Sequence, residues 1–157
     1  MAQWYNNMKE LSEKIISKLP YGDGFLFVDE ITYVDDNKIV GNYTFRSDAP
    51  FYKWHFKQRP VTPGVLLIEC AGQIAMSSHI VYLEKIYDLP TFGIPVLQYF
   101  EASFLKEVFP NDKIEIESEK MYYRNGVLKS KVLLKNSQNE VCLTGTGLVK
   151  LVKQWIK

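Results

Sequence analysis

The spacing of apolar residues changes several times along the chain, and each change marks an element. In residues 8–19 they fall at Met8, Leu11, Ile15, Ile16 and Leu19, one face of a helix that Pro20 stops. Residues 25–34, rich in Phe, Val and Ile, predict a strand, and Asp35-Asp36-Asn37 a turn. Ile39, Gly41, Tyr43 and Phe45 then alternate within residues 38–46, so the first two strands read as a hairpin. Pro50, Pro60 and Pro63 break up residues 47–63 into an irregular loop.

From Gly64 to about Glu84 there is no proline. Residues 64–76 are apolar on nearly every face, which predicts a buried helix. Ala71, Gly72 and Ala75 would let another backbone approach it closely. After Pro90 the pattern returns to strands, over residues 93–106, 112–124, 127–135 and 141–152. Asn125-Gly126 is a strong hairpin signal and residues 136–139 are a second turn, so the last three strands form a meander. No repeat, low-complexity tract or linker interrupts the chain, and one domain over residues 1–157 is expected. An antiparallel sheet must bury one face, and the single apolar helix is the obvious filling. The expected class is α+β, a curved antiparallel sheet wrapped around a long central helix.

Composition narrows the function. Of 157 residues, 46% are apolar and 24% charged, unlike a disordered tail or a membrane protein. Nineteen basic residues against 18 acidic ones leave a net charge of +1, which is no footprint for nucleic acid. Cys70 and Cys142 lack metal-ligand or CxxC spacing and read as reduced and structural. Residues 1–5 lack a signal-peptide layout, and the longest apolar run falls short of a membrane span. The expectation is a soluble cytoplasmic protein with neither nucleic acid nor membrane as partner.

Three positions carry candidate chemistry. His55 sits in the proline-punctuated loop, where a rigid scaffold often presents functional groups. Glu69 lies one to two turns into the apolar helix, and a carboxylate is costly there unless paired, protonated or useful. It is either a catalytic acid or the partner of a basic residue or a wet subunit seam. Gly64, after Pro63, opens the helix. The first helical N–H groups lack internal acceptors and carry partial positive charge, so they would polarise a carbonyl oxygen. Two histidines without ligand spacing offer no metal site.

The run from His55 to Gln73 reads HFKQRPVTPGVLLIECAGQ. It resembles the signature of FabZ-type β-hydroxyacyl-[acyl-carrier-protein] dehydratases, G-H-F-P-x-R-P-V-x-P-G-V-L-x-x-E-x-x-A-Q. His55, Phe56, Arg59, Pro60, Val61, Pro63, Gly64, Val65, Leu66, Glu69 and Gln73 fall on matching positions. Leu19-Pro20 with residues 25–29, and Glu101-Ala102-Ser103-Phe104 with residues 108–112, resemble two further family motifs in the same order. The resemblance covers roughly residues 9–150. It implies a hotdog fold and loss of water from a β-hydroxyacyl thioester to give the trans-2-enoyl product. It also implies a site shared between subunits of a homodimer or trimer of dimers, His55 from one and Glu69 from the other, with no metal or redox cofactor. In these roles His55 removes the α-proton, Glu69 helps the β-hydroxyl leave, and the Gly64 N–H binds the thioester carbonyl. Trp54, Phe56 and Gln73 would line the substrate pocket. Lys53, Lys57, Arg59 and Lys106 either face the acidic acyl carrier protein or form a solvated basic rim, and for Arg59, next to Pro60, a structural ion pair is a further alternative.

Lys57 replaces the proline that follows Phe56 in the signature, and the match fails most in two other places. The family's P-H-R-x-P is here Pro20-Tyr21-Gly22-Asp23-Gly24, and the glycine before the histidine is Trp54. Both changes bear on the acyl group accepted, and a specialised pathway making polyene or aryl-polyene-like chains is one expectation. A hotdog thioesterase, or a non-catalytic subunit of a heteromeric dehydratase, are the competing readings.

Overall fold

The computed structural model describes residues 1–89 and 93–153. Helix α1 spans Ala2–Ser17. Strands β1 (Glu30–Val34) and β2 (Lys38–Thr44) follow, then helix α2 over Gly64–Leu83. Strands β3 (Gly93–Phe104), β4 (Lys113–Arg124), β5 (Val127–Lys135) and β6 (Val141–Lys153) complete the order. This is the succession of elements that the apolar pattern predicts. The strands form one sheet in the order β1-β2-β4-β5-β6-β3, with every neighbouring pair antiparallel. The last three strands are the expected meander, with β3 brought round to the outer edge beside β6.

The turn chemistry is local. Asn125 and Gly126 both have positive φ, 52° and 74°, the backbone that a tight two-residue hairpin requires. Asp35 closes its turn through Oδ1, which accepts the N–H groups of Asn37 and Lys38.

Two boundaries differ from expectation. Helix α1 begins six residues earlier than the apolar period suggests. Residues 2–7 contain no breaker, and the period reads only the face that Ile15 and its neighbours bury. Strand β1 begins five residues later. Asp23–Phe25 form a 3₁₀ turn, and the Phe27 N–H donates to the Gln73 side chain at 2.7 Å. A segment whose N–H is claimed by a helix side chain cannot use it in a ladder.

Helix α2 is the core. Cys70, Ala71, Ile74, Ala75, Met76 and Ile80 are fully buried against Ile31, Ile39, Ile116, Leu128, Leu134 and Leu143 of the sheet. Its middle, Gln73–Ser77, widens into a π turn. There the Ser78 hydroxyl, at 2.8 Å, and the Ser78 N–H both donate to the Gln73 carbonyl. The sheet is thin where the helix is wide. A Cβ on Gly41 would lie 2.8 Å from Ile74 Cγ2, and one on Gly147 2.6 Å from the Met76 thioether. At 20 residues α2 is long and apolar enough to cross a membrane, more than the sequence reading allowed. Yet 72% of its most apolar window is buried inside this sheet.

Candidate active site

His55 is held by its own loop. A 3₁₀ turn, Pro50–Lys53, leads into it, and the Trp54 and His55 N–H groups both donate to the Phe51 carbonyl. His55 and Val61 are bonded reciprocally. The Val61 N–H donates to the His55 carbonyl at 2.9 Å, and His55 Nδ1 lies 2.9 Å from the Val61 carbonyl. A carbonyl only accepts, so Nδ1 carries the proton and the Nε2 of the neutral ring is left with a lone pair. The His55–Phe56 peptide bond is cis, and the two rings stack at 4.0 Å between centroids.

The loop delivers the chain to the start of α2. The Thr62 N–H donates to the Val108 carbonyl at 2.8 Å, and its hydroxyl pairs with that of Tyr52 in the core. The Pro63 carbonyl accepts from the N–H groups of Leu66 and Leu67. The Gly64 and Val65 N–H groups precede these and have no acceptor within the helix. His55, Gly64, Leu67, Phe104 and Val108 line one cleft of about 300 Å3. A Cβ on Gly64 would sit 2.9 Å from the Phe104 ring, so a side chain there would push that ring aside.

Glu69 is half-buried on α2 and is not among the residues lining the His55 cleft. Its Oε1 accepts a hydrogen bond from Gln73 Nε2 at 2.9 Å. Gln73 is fully buried and has no freedom to reverse its amide. Its Oε1 accepts from the Phe27 N–H at 2.7 Å, and Nε2 donates also to the Phe25 carbonyl at 2.9 Å. Both amide hydrogens are used. Gln73, expected to line the substrate pocket, is buried in this chain and bonded to the Glu69 carboxyl.

The remaining candidates divide. Trp54 and Phe56 are exposed, 73% and 59%, and neither lines the cleft within a single chain. Arg59 makes a two-point bond to Glu107, at 2.9 and 2.7 Å, and its guanidinium lies 5.4 Å from the centre of the Phe109 ring. Lys106 pairs with Glu140. Lys53 and Lys57 are exposed and make no ion pair among the described residues. His79 is fully buried, with Nε2 donating to the Asp35 carbonyl at 2.8 Å, and burial lowers its pKa. Cys70 is buried with its thiol pKa pushed well up by burial, the inert setting that its spacing suggested. Among the described residues no group of three His, Cys, Asp or Glu side chains could hold a metal.

The Val61 carbonyl leaves no mark in side-chain pattern, being a backbone atom. Tyr21 stands out in the sequence only as a departure from the family motif. In the structure the Tyr21 hydroxyl pairs with Ser77 at 2.9 Å.

A curved antiparallel sheet closed on one apolar helix, with a histidine-bearing loop feeding the helix N-terminus, is a hotdog domain. The FabA-like domain model matches residues 19–144. The chain belongs to the FabA-like family. A 3-hydroxyacyl-[acyl-carrier-protein] dehydratase FabZ from Thermus thermophilus is 34% identical over 119 residues, covering 74% of this chain and 80% of that protein. The FabZ of Geotalea uraniireducens is 33% identical over 115 residues, covering 73% and 78%. Among solved structures, a chain of the dehydratase heterocomplex ApeI:P from Xenorhabdus doucetiae superposes with a TM-score of 0.74. It is 14% identical and covers 87% of this chain and 89% of its own. A hypothetical thioesterase with coenzyme A from Streptococcus pneumoniae gives a TM-score of 0.58 at 17% identity, covering 95% and 99%. At such identities the last two show the shared fold alone.

Proposed function

We propose that this chain, as one hotdog domain, removes water from a β-hydroxyacyl thioester carried on acyl carrier protein, with His55 as base and Glu69 as acid. The observation that carries the reading is the His55 Nδ1 bond to the Val61 carbonyl. It fixes the tautomer, so the Nε2 lone pair is the basic site available for α-proton abstraction.

The steps balance without a metal or redox partner. His55 Nε2 takes the α-proton, and the electron pair moves onto the thioester carbonyl as an enolate. The Gly64 N–H, at the positive end of α2, stabilises that oxygen. Because Oε1 of Glu69 is occupied as acceptor by Gln73, the acidic proton resides on Oε2. It passes to the departing β-hydroxyl as the carbon–oxygen bond breaks and the trans-2 double bond forms. Water leaves, and the proton on His55 returns to the carboxylate. A thioesterase would use the carboxylate to activate water at the carbonyl. The FabZ relatives, at a third of residues identical, favour dehydration.

Glu69 does not line the cleft that holds His55 and Gly64, which supports a site completed by a second copy. The outer edge of β3 is unpaired in the sheet and carries exposed Val96, Leu97, Tyr99 and Phe104. A homodimer pairing these edges, alone or within a trimer of dimers, suits this surface. The apolar α2 is enclosed by its own sheet, in keeping with a soluble cytoplasmic protein and no membrane partner. Incubation with a β-hydroxyacyl carrier thioester should yield the conjugated enoyl thioester, and release of free thiol without it would overturn the reading. Mixing His55→Ala with Glu69→Ala subunits should restore up to about a quarter of wild-type turnover, one intact site in each mixed dimer. No recovery after demonstrated subunit exchange would place the whole site in one chain.

A further inference from the structure

Glu69, Gln73 and Ser77 follow one another at intervals of four along a helix that is otherwise apolar. In a regular α-helix such a series drifts by about 40° per step. The π turn over Gln73–Ser77 has more residues per turn and rotates the series back, which returns Ser77 towards the line of Glu69. A carboxyl, an amide and a hydroxyl thus form one polar stripe.

The segment 21–27 covers that stripe. Phe25 and Phe27 hold Gln73 through their backbone, and the Tyr21 hydroxyl meets Ser77 Oγ at 2.9 Å. Ser77 is buried, so swinging the phenol away would leave a buried hydroxyl unpaired. The ring is itself half-buried and packs against the core. Burial pushes the phenol pKa up, and the Ser77 bond offsets part of that rise. Tyr21 thus closes the Ser77 end of the polar stripe that begins at Glu69.

We propose that Tyr21, pinned by Ser77, is the residue that limits acyl-chain length: its phenol forms the wall met by the part of the chain beyond the β-carbon. The inference rests on the proposed role of Glu69. A substrate whose β-hydroxyl reaches Glu69 Oε2 enters at one end of the stripe, and an acyl chain that follows the stripe meets the Tyr21 ring at the other. The fixed ring admits short or narrow acyl groups and turns away long saturated ones.

The test compares wild type, Tyr21→Phe and Tyr21→Leu on β-hydroxyacyl thioesters of short, medium and long chain. Tyr21→Leu should raise the ratio of kcat/KM for long over short chains by about tenfold, the scale that a few methylenes command in an apolar pocket. Tyr21→Phe keeps the ring but frees it, and should give an intermediate ratio. Identical ratios in all three proteins would overturn the proposal. Calorimetric binding of unreactive saturated acyl-pantetheine thioesters gives a readout independent of turnover. A shift of affinity towards longer chains in Tyr21→Leu supports the wall, and an unshifted profile sinks it. Absence of dehydration at every length in the wild type would sink the dehydratase reading instead.

Discussion

Gln73 donates to Glu69 across one helical turn, 2.9 Å from Nε2 to Oε1, and it cannot do otherwise. Its own carbonyl is committed to the Phe27 N–H and its second amide hydrogen to the Phe25 carbonyl. One oxygen of Glu69 is thereby fixed as an acceptor, which in the proposed mechanism leaves the other to carry the transferred proton. Gln73→Leu removes this selection while keeping an apolar side chain in the core. It should lower kcat by about ten- to hundredfold, as small misplacements of reacting groups do. It should also cost about 1–3 kcal/mol for each backbone group left unpaired. Steady-state kinetics beside urea unfolding separates the two effects. A destabilised protein with unchanged kcat would mean that the orientation of Glu69 does not depend on Gln73.

Gly64 tests the cleft from the other end. An alanine Cβ would lie 2.9 and 3.0 Å from two atoms of the Phe104 ring, which must turn into the space beside His55. The ring is half-exposed and can move, so the fold should tolerate Gly64→Ala. KM should rise by about tenfold with a smaller change in kcat, since the N–H that faces the carbonyl is kept. Adding Phe104→Leu should restore KM. An unaltered KM in the single variant would show that the acyl thioester does not pass between Gly64 and Phe104.

The basic residues near the loop should not contribute alike to carrier docking. Arg59 is spent on Glu107 and Lys106 on Glu140, whereas Lys53 and Lys57 have no partner among the described residues. Lys53→Glu with Lys57→Glu should raise KM for a carrier-bound thioester and leave a pantetheine thioester unaffected. The difference should shrink as salt is raised past about 0.15 M, where charges more than about 8 Å apart are screened. Equal effects on both substrates would place these lysines at the acyl site instead.

Much of this site was legible because its signals are local. Glu69 stands out as a carboxylate among apolar helix residues, and Gly64 as the residue at a proline-marked helix start. The succession of strands followed from alternation and from Asn125-Gly126, whose backbone does what that dipeptide favours. What escaped depends on partners distant in sequence or on backbone atoms. Residues 25–29 have strand composition, but Gln73, 46 residues from Phe27, takes the N–H that a ladder would use. The His55 tautomer is set by a carbonyl, which no residue pattern encodes. The π turn in α2 rests on the Ser78 hydroxyl and on the glycines of two sheet strands together, and neither alone announces it.

His79 gives the fold a pH dependence separate from that of the chemistry. It is fully buried, donates from Nε2 to the Asp35 carbonyl, and leaves Nδ1 buried without a partner. A proton on Nδ1 would place a charge among apolar side chains near Lys120, and burial, the larger effect, together with that lysine lowers the folded-state pKa. Asp35 and Asp36 oppose the shift without reversing it. The unfolded chain therefore binds a proton that the folded chain refuses, so stability rises with pH across this window. It is fully present above the ordinary value of 6.5 and is lost progressively as pH falls from there towards the lowered folded value. Asp35 and Glu117, whose carboxyl pKa values are lowered, chiefly by the Tyr33 hydroxyl and by Lys135, lose their contribution only nearer pH 4. Urea midpoints of the wild type should thus decline as pH falls below about 6.5, before the carboxylates titrate. His79→Leu should be less stable at pH 8, having lost the bond to Asp35, but nearly flat over that range. A variant that keeps the wild-type slope would assign the dependence to another group.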